Sequence, residues 1–322
     1  MARRIDVTGA GGVRLAAWEF GDPPKGDPAH GGPAAVIPAQ SAHPAQLARL
    51  VERPLPDAVA ADAENRPGVL LLHGLMGRAS HWASTARWLS ERHRAVALDQ
   101  RGHGQSEKPS EGEAAFTREA YVEDAEAALE QLGLAPTVLI GHAMGALTAW
   151  QLAAKRPDLV RGVIICDMRA SALGAASQRE WGDWFKSWPV PFATLADVRK
   201  WFGEDDPWVE RPNPSRGEFY AEVMHESPDG WRPVFEPEQM LKSRETWVYD
   251  AHWEELTQVQ CPALVVRGLD GELGRAEAQE MVRVLPLGEY AEVADAGHLV
   301  HYDQPEAWRA AIEPFLDGVL TV

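Results

Sequence analysis

Hydrophobic and polar positions change their rhythm three times along this chain. Residues Arg4–Thr8 and Val13–Phe20 alternate as half-buried strands do, and a turn holding Gly9, Gly11 and Gly12 joins them. From Gly21 to Pro67 the pattern dissolves into Ala, Gly and Pro, with nine of the chain's 24 prolines, and only Pro44–Arg53 keeps helical spacing. Such a stretch is too long for an ordinary connection; it predicts either a mobile insertion or an arm packed on the body or on another subunit.

From Val69 onward the chain reads strand, turn, helix, repeatedly. VLLLHG, AVALD, TVLIG and GVIICD are continuous apolar runs, and HWASTARWLSER, YVEDAEAALEQLG and ALTAWQLAAKRP between them have helical spacing. Continuous apolar strands alternating with amphipathic helices predict a parallel sheet covered on both faces. The alternation stops after Asp167. It resumes with ALVVRG, a helix over AEAQEMVRVLP, the strand YAEVA and a last helix, PEAWRAAIEPFL. The expected organisation is a core in two parts (1–20 with 68–167, then 251–322), an insertion at 21–67 and a helical cap at 168–250.

Length and charge narrow the class. The 322 residues suit one large domain or a core with an attached subdomain. Lys+Arg 31 against Asp+Glu 48 gives a net charge of −17, which argues against nucleic acid and anionic membranes as partners. Cys166 (in VIICD) and Cys261 (in CPALVV) each sit in an apolar run and read as small buried thiols rather than a disulfide. The first 20 residues lack a signal-peptide apolar region, and no run of about 20 apolar residues is present. Together these features lead to the expectation of a cytoplasmic protein. Thirteen tryptophans are many for this length, and eight of them fall between 181 and 253.

The chemistry concentrates at TVLIGHAMGALTAW. A strand runs into Gly141-His142-Ala143-Met144-Gly145 and then into a helix, the setting of a G-x-S-x-G nucleophile elbow. Glycine is needed at 141 and 145 because the turn leaves no room for side chains. The middle residue projects above the sheet at the positive end of a helix. Here it is Ala143, whose methyl group cannot attack a carbonyl.

With LLLHGLMG at 70–77, LDQRGHGQS at 98–106 and AGHLVHYDQPEAW at 296–308, the elbow completes four segments in an order that resembles the α/β-hydrolase superfamily. The resemblance covers nearly everything except 21–67. It implies an α/β fold with a mostly parallel eight-stranded sheet, helices on both faces and an inserted helical cap. It also gives His298 the role of general base and assigns the oxyanion hole to the backbone N–H groups of Leu75 and Met144. The acid is ambiguous. The family's commonest position, third after the glycine of ALVVRG, is Gly271, flanked by Asp270 and Glu272. In some lactone hydrolases of this fold the acid instead ends the strand beside the nucleophile's, which here means Asp167. Adjacent parallel strands ending at one level favour Asp167, with Glu272 and Asp270 as alternatives.

Ala143 admits three readings: an inactivated serine hydrolase, a naturally non-catalytic ligand-binding relative, or an enzyme whose chemistry needs no serine. The first is favoured because only one hydroxyl is missing while both glycines, both loops and His298 remain. A lost aspartate, as in epoxide hydrolases and dehalogenases, stays open. Arg101, Gly102, His103 and Gly104 are expected to shape a loop, His73 and His142 to be hydrogen-bonded scaffolding, and His81 and His301 to be surface or packing residues. Cys166 and Cys261 lack zinc spacing and no phosphate-cradling glycine motif is found, so neither a metal nor a cofactor is expected.

Trp181, Trp184 and Trp188 follow i, i+3, i+7 spacing and share one helix face. Packing alone accounts for such a face, but part of it is a candidate roof for the pocket. The candidate binding residues are Gly74, Met168, Trp184, Trp188, Phe192, Trp208, Tyr220 and Phe235. Aromatic walls suit a bulky apolar ester or lactone. The early acid, the tryptophan-rich cap and the insertion together resemble bacterial lactonases that open the macrocyclic lactone zearalenone, and that resemblance implies a carboxylic ester hydrolase. The readings of 21–67 include the interface of a homo-oligomer.

Overall fold

The computed structural model describes residues 2–21, 66–109 and 113–320. Most of the expected insertion, including Pro44–Arg53, lies outside the described residues.

Among the described residues ten strands follow in chain order: β1 (Ala2–Thr8), β2 (Arg14–Phe20), β3 (Gly68–Leu72), β4 (Arg94–Asp99), β5 (Thr137–His142), β6 (Val160–Cys166), β7 (Met224–Ser227), β8 (Gly230–Pro233), β9 (Ala263–Gly268) and β10 (Gly288–Val293). Eight of them make one sheet in the order β1-β2-β4-β3-β5-β6-β9-β10. The β1–β2 and β2–β4 pairs are antiparallel, and all the others in this sheet are parallel. This is the α/β architecture that the apolar runs predict. Successive side chains point to opposite faces, so Leu70, Leu72, Leu139 and Val163 join one core while Val69, Leu71, Ile140 and Ile164 join the other. Helices Arg118–Gln131 and Met144–Lys155 cover the first face, and Ala83–Ser90 and Pro305–Leu320 cover the second.

The segment between β6 and β9 forms a separate aromatic core over the ends of the strands. Its helices start where local chemistry satisfies free N–H groups. Thr194 and Asp197 cap Leu195–Lys200 reciprocally, and Asn213 accepts from Arg216 N at the start of Pro214–Glu222, with proline in the first turn. The cap is expected to be helical, and it holds one short hairpin besides its helices. β7 and β8 form a hairpin joined by Pro228-Asp229, and Gly230, which opens β8, has φ 133. An Asp-Gly pair is itself a turn signal, but the flanking strands span four residues each, too short for alternation to register.

Two loops at the strand ends are pinned by buried polar groups. Arg101, just after β4, makes a bidentate pair with Asp124 (2.6 and 2.7 Å), and both side chains are buried. His73, just after β3, accepts from Gln100 N at Nε2 (2.9 Å), so its Nδ1–H donates to Gly74 O (2.7 Å). Burial drives the His73 pKa down to about 4, keeping the ring neutral.

Gly145 presses against the Leu72 and His73 carbonyls, where a Cβ would overlap backbone. Gly318, in the exposed last turn of Pro305–Leu320, has nothing within 4 Å of such a Cβ. Gly145→Ala is therefore expected to lower the unfolding free energy by about 1–3 kcal/mol, and Gly318→Ala to raise it by about 0.4–1 kcal/mol. Chemical denaturation midpoints read both, and equal effects would contradict this account of the packing.

Candidate active site

β5 ends at His142, and Ala143 turns the chain at φ 48, ψ −123 into helix Met144–Lys155. That backbone region is strained for any residue with a side chain. Ala143 N–H donates to Cys166 O (2.9 Å), and Ala143 O accepts from Ala146 N (2.8 Å), so the turn is held from the neighbouring strand and from its own helix. A Cβ at Gly141 would overlap the Ala146 backbone. As the first residue of the helix, Met144 has an N–H with no carbonyl four residues back to bind. Leu75 follows Gly74 in the loop after β3, and a Cβ at Gly74 would lie 3.1 Å from the Ala143 Cβ.

Asp167 follows β6 directly, with φ 47. Its N–H donates to Val266 O (2.9 Å), which continues the β6–β9 ladder and fixes the carboxylate between two strand ends. That carboxylate accepts from His298 Nδ1 (2.8 Å) and Glu272 N (2.9 Å), and from Leu273 N at 3.4 Å. Gly271 is the reason it fits, because a Cβ there would come within 2.5 Å of Asp167 Oδ1. Glu272 Oε2 stands 3.9 Å from His298 Nδ1 with its side chain 61% exposed, whereas Asp167 is fully buried. Asp270 pairs instead with Arg211 at 3.3 Å. Of the three candidate carboxylates, Asp167 alone hydrogen-bonds the imidazole.

His298 lies between β10 and the short helix Val300–Asp303. Its Nδ1–H points at an acceptor-only carboxylate, which leaves Nε2 as the unprotonated nitrogen of the neutral ring. Burial opposes protonation, yet the charge of Glu272, the hydrogen bond and charge of Asp167, and the charge of Asp303 outweigh it and raise the pKa to about 9. His142 donates from Nε2 to His298 O (2.8 Å), and burial, followed by the neighbouring imidazoles, holds its pKa well below the ordinary value. His81 and His301 are both buried, stacked on Phe219 and Trp82 respectively.

A cavity of about 810 Å³ opens over Ala143, Asp167 and His298. Of the candidate binding residues, Met168, Trp208 and Tyr220 line it, together with Leu75 and Met144. Trp184, Trp188, Phe192 and Phe235 do not. They are buried in the cap's own core, where Trp184 donates to Asp206 (3.0 Å), Trp188 meets Phe202 edge-on and Phe192 is bridged to Trp231. Gly74 is likewise off the wall, pressed against His142 and Ala143. Trp181, Trp247, Arg216 and Arg244 line the cavity and were absent from the sequence-derived set. Trp181 had a signal, since it belongs to the i, i+3, i+7 series. The arginines had none, as each is one polar residue in a stretch without a motif. Among the described residues, no group of three or more His, Cys, Asp or Glu comes together as a metal site, and no helix is long and apolar enough to cross a membrane.

Comparison with known proteins gives concordant results. The chain is 28% identical over 260 residues to the 2-(acetamidomethylene)succinate hydrolase of Mesorhizobium japonicum, covering 78% of this chain and 88% of that one. It is 39% identical over 121 residues to the mouse sn-1-specific diacylglycerol lipase ABHD11, a match that spans only 36% of this chain and 38% of the lipase. A crystal structure of E-2-(acetamidomethylene)succinate hydrolase superposes with a TM-score of 0.74 at 22% identity, covering 98% and 99% of the two chains. A family model described as the alpha/beta hydrolase fold matches residues 67–305, and the chain belongs to that family.

Proposed function

We propose that this chain carries the site of a serine-type carboxylic ester or lactone hydrolase in which alanine stands at the nucleophile position. The observation that carries the proposal is the constellation around Ala143: a strained elbow at a helix N-terminus, with His298 oriented by a fully buried Asp167 in the same cavity. A serine Oγ at 143 would be the nucleophile. His298 Nε2 takes its proton as the hydroxyl attacks the ester carbonyl, and Asp167 holds the ring in the required tautomer. The N–H groups of Leu75 and Met144 stabilise the oxyanion, and His298 passes its proton to the leaving alcohol. Water activated by the same imidazole then hydrolyses the acyl-enzyme.

The substrate that best matches the cavity is bulky and largely apolar, a macrocyclic aryl lactone of the zearalenone kind. The volume and the aromatic walls of Trp181, Trp208, Tyr220 and Trp247 support this reading. A second reading is favoured by Ala143 itself: a binding protein that holds the same ligand without turnover.

Restoring the hydroxyl separates the two. Ala143→Ser should raise the rate of ring opening on the order of a millionfold over the Ala143 protein, followed chromatographically with zearalenone. Good hydrolysis of simple esters without ring opening would remove the substrate assignment. Binding without any gain in turnover would favour the binding protein, and a gain from Ala143→Asp with an epoxide or haloalkane in place of Ala143→Ser would point to the aspartate branch.

In the Ala143→Ser form, Asp167→Asn should cut kcat by about 10⁴, and Asp270→Asn should leave it nearly unchanged. An unaffected kcat in Asp167→Asn ends that assignment.

The base must be neutral to act, and His298 titrates at about 9. The kcat/KM of the Ala143→Ser form should therefore rise with pH and level off only above about 9. Glu272→Gln removes the largest factor raising the His298 pKa, so it should move this limb to lower pH. A limb that stays in place would show that Glu272 does not act on the imidazole.

A further inference from the structure

Four arginines line the cavity: Arg169, Arg211, Arg216 and Arg244. Arg169 pairs with Glu277, Arg211 with Asp270 and Arg216 with Asp206. Among the described residues Arg244 has no carboxylate partner. It is 1% exposed, Nη1 donates to Gln178 Oε1 (2.8 Å), Nη2 donates to Ser177 Oγ (2.7 Å), and the buried Nε has no acceptor. Its guanidinium carbon lies 4.8 Å from the Trp181 ring centre and 5.3 Å from that of Trp247, two residues that also line the cavity. A guanidinium has five N–H donors, so Gln178 and Ser177 leave most of them unused. The charges of Glu272 and Glu180 act on it only from beyond ion-pair distance, and a buried cation without a contacting counter-ion is costly unless a ligand supplies one. Burial lowers the Arg244 pKa only to about 10, so the group stays charged at neutral pH.

We propose that Arg244 is the specificity-determining residue of this cavity, taking an acidic oxygen of the substrate, a phenolate or a carboxylate, while Trp181 and Trp247 flank it. The cation then selects for a charged or ionisable group on the part of the substrate that does not react, and the indole faces keep the guanidinium in place while the site is empty. Because the cavity also holds Ala143 and His298, the inference deepens the hydrolase reading and rests on it for the identity of the substrate.

The test is equilibrium binding to the Ala143 protein as it stands, where no turnover intervenes. Isothermal titration compares zearalenone, which bears two phenolic oxygens, with its di-O-methyl ether, and succinanilic acid with its methyl ester. Arg244→Met should weaken at least one acidic ligand by about 10–100-fold while changing its masked partner less than about twofold. Arg244→Lys, which keeps the charge and loses the fork, should fall between, and it carries the same comparison if the methionine variant does not fold. Selective loss for the phenol pair identifies a phenolic oxygen as the ligand, and selective loss for the acid pair identifies a carboxylate. Equal losses within both pairs, or acidic ligands that bind no better than their masked partners, overturn the proposal. A silent Ala143→Ser enzyme alongside selective Arg244-dependent binding would sink the hydrolase reading alone.

Discussion

The constraint on which the rest of this molecule turns is the cramped corner at Ala143. A residue with a side chain at φ 48 costs on the order of 1–3 kcal/mol, and the conformation survives because hydrogen bonds from β6 and from the following helix hold it on both sides. Space forces the other features of the elbow. Gly141 and Gly145 lack a Cβ where the Ala146 backbone and the Leu72 and His73 carbonyls would otherwise collide with it. That close approach brings the loop after β3 against the helix N-terminus, so Leu75 and Met144 share one wall of the cavity. An alanine gains nothing from a projecting, strained position. In the proposed reaction the strain would present a serine hydroxyl to a bound carbonyl.

The second strand-end feature follows from the first. Once the elbow ends β5, the ladder continues through Ala143 to Cys166 and through Asp167 to Val266, so the residue after β6 arrives at the same level as the elbow. Asp167 then occupies the space that an acid after β9 would otherwise approach. Gly271 provides the volume, and the Glu272 and Leu273 N–H groups solvate the charge. A carboxylate at the later position and one at the earlier position would compete for the same hydrogen bond. The vacancy at 271 and the acid at 167 are two sides of one arrangement. Glu272, left outside at 3.9 Å, acts on the imidazole through its charge and not through a hydrogen bond.

Much of this was legible in the sequence because parallel strands buried on both faces leave continuous apolar runs. All eight strands of the main sheet were readable, and ALVVRG coincides with β9. The elbow glycines were readable in the motif, the family resemblance pointed to His298, and the rule that neighbouring strands end together favoured Asp167 over Glu272 and Asp270 without excluding them. Legibility failed in the cap, where packing partners are set by tertiary contacts. Spacing assigns Trp184 and Trp188 to one face but cannot say whether that face meets a cavity or a second aromatic layer. The layer is the answer, since Trp184 stacks on Trp208 at 4.3 Å and Phe202 on Tyr220 at 4.0 Å. Arg244 was illegible for a different reason: in KSRETW it is one polar residue among several, and only the fold turns it inward.

The aromatic load of the cap therefore has two uses with different physical bases. Trp184, Trp188 and Phe192 belong to a third hydrophobic core, most of it within the cap. Trp181 and Trp247 instead stand beside a cation, where an indole face offers attraction without the strong counter-charge that a carboxylate would supply. An arginine neutralised by Asp or Glu, as Arg216 is by Asp206, has little left to offer a ligand. One held by rings and two neutral acceptors, with the charges of Glu272 and Glu180 acting only from beyond contact, keeps donors for a ligand. Tryptophan around this cavity thus argues for more than an apolar substrate: it is the packing that allows a buried positive charge to wait for an oxygen ligand. A flat aromatic ring carrying an acidic oxygen meets both demands of the same wall, and a purely aliphatic ester meets neither.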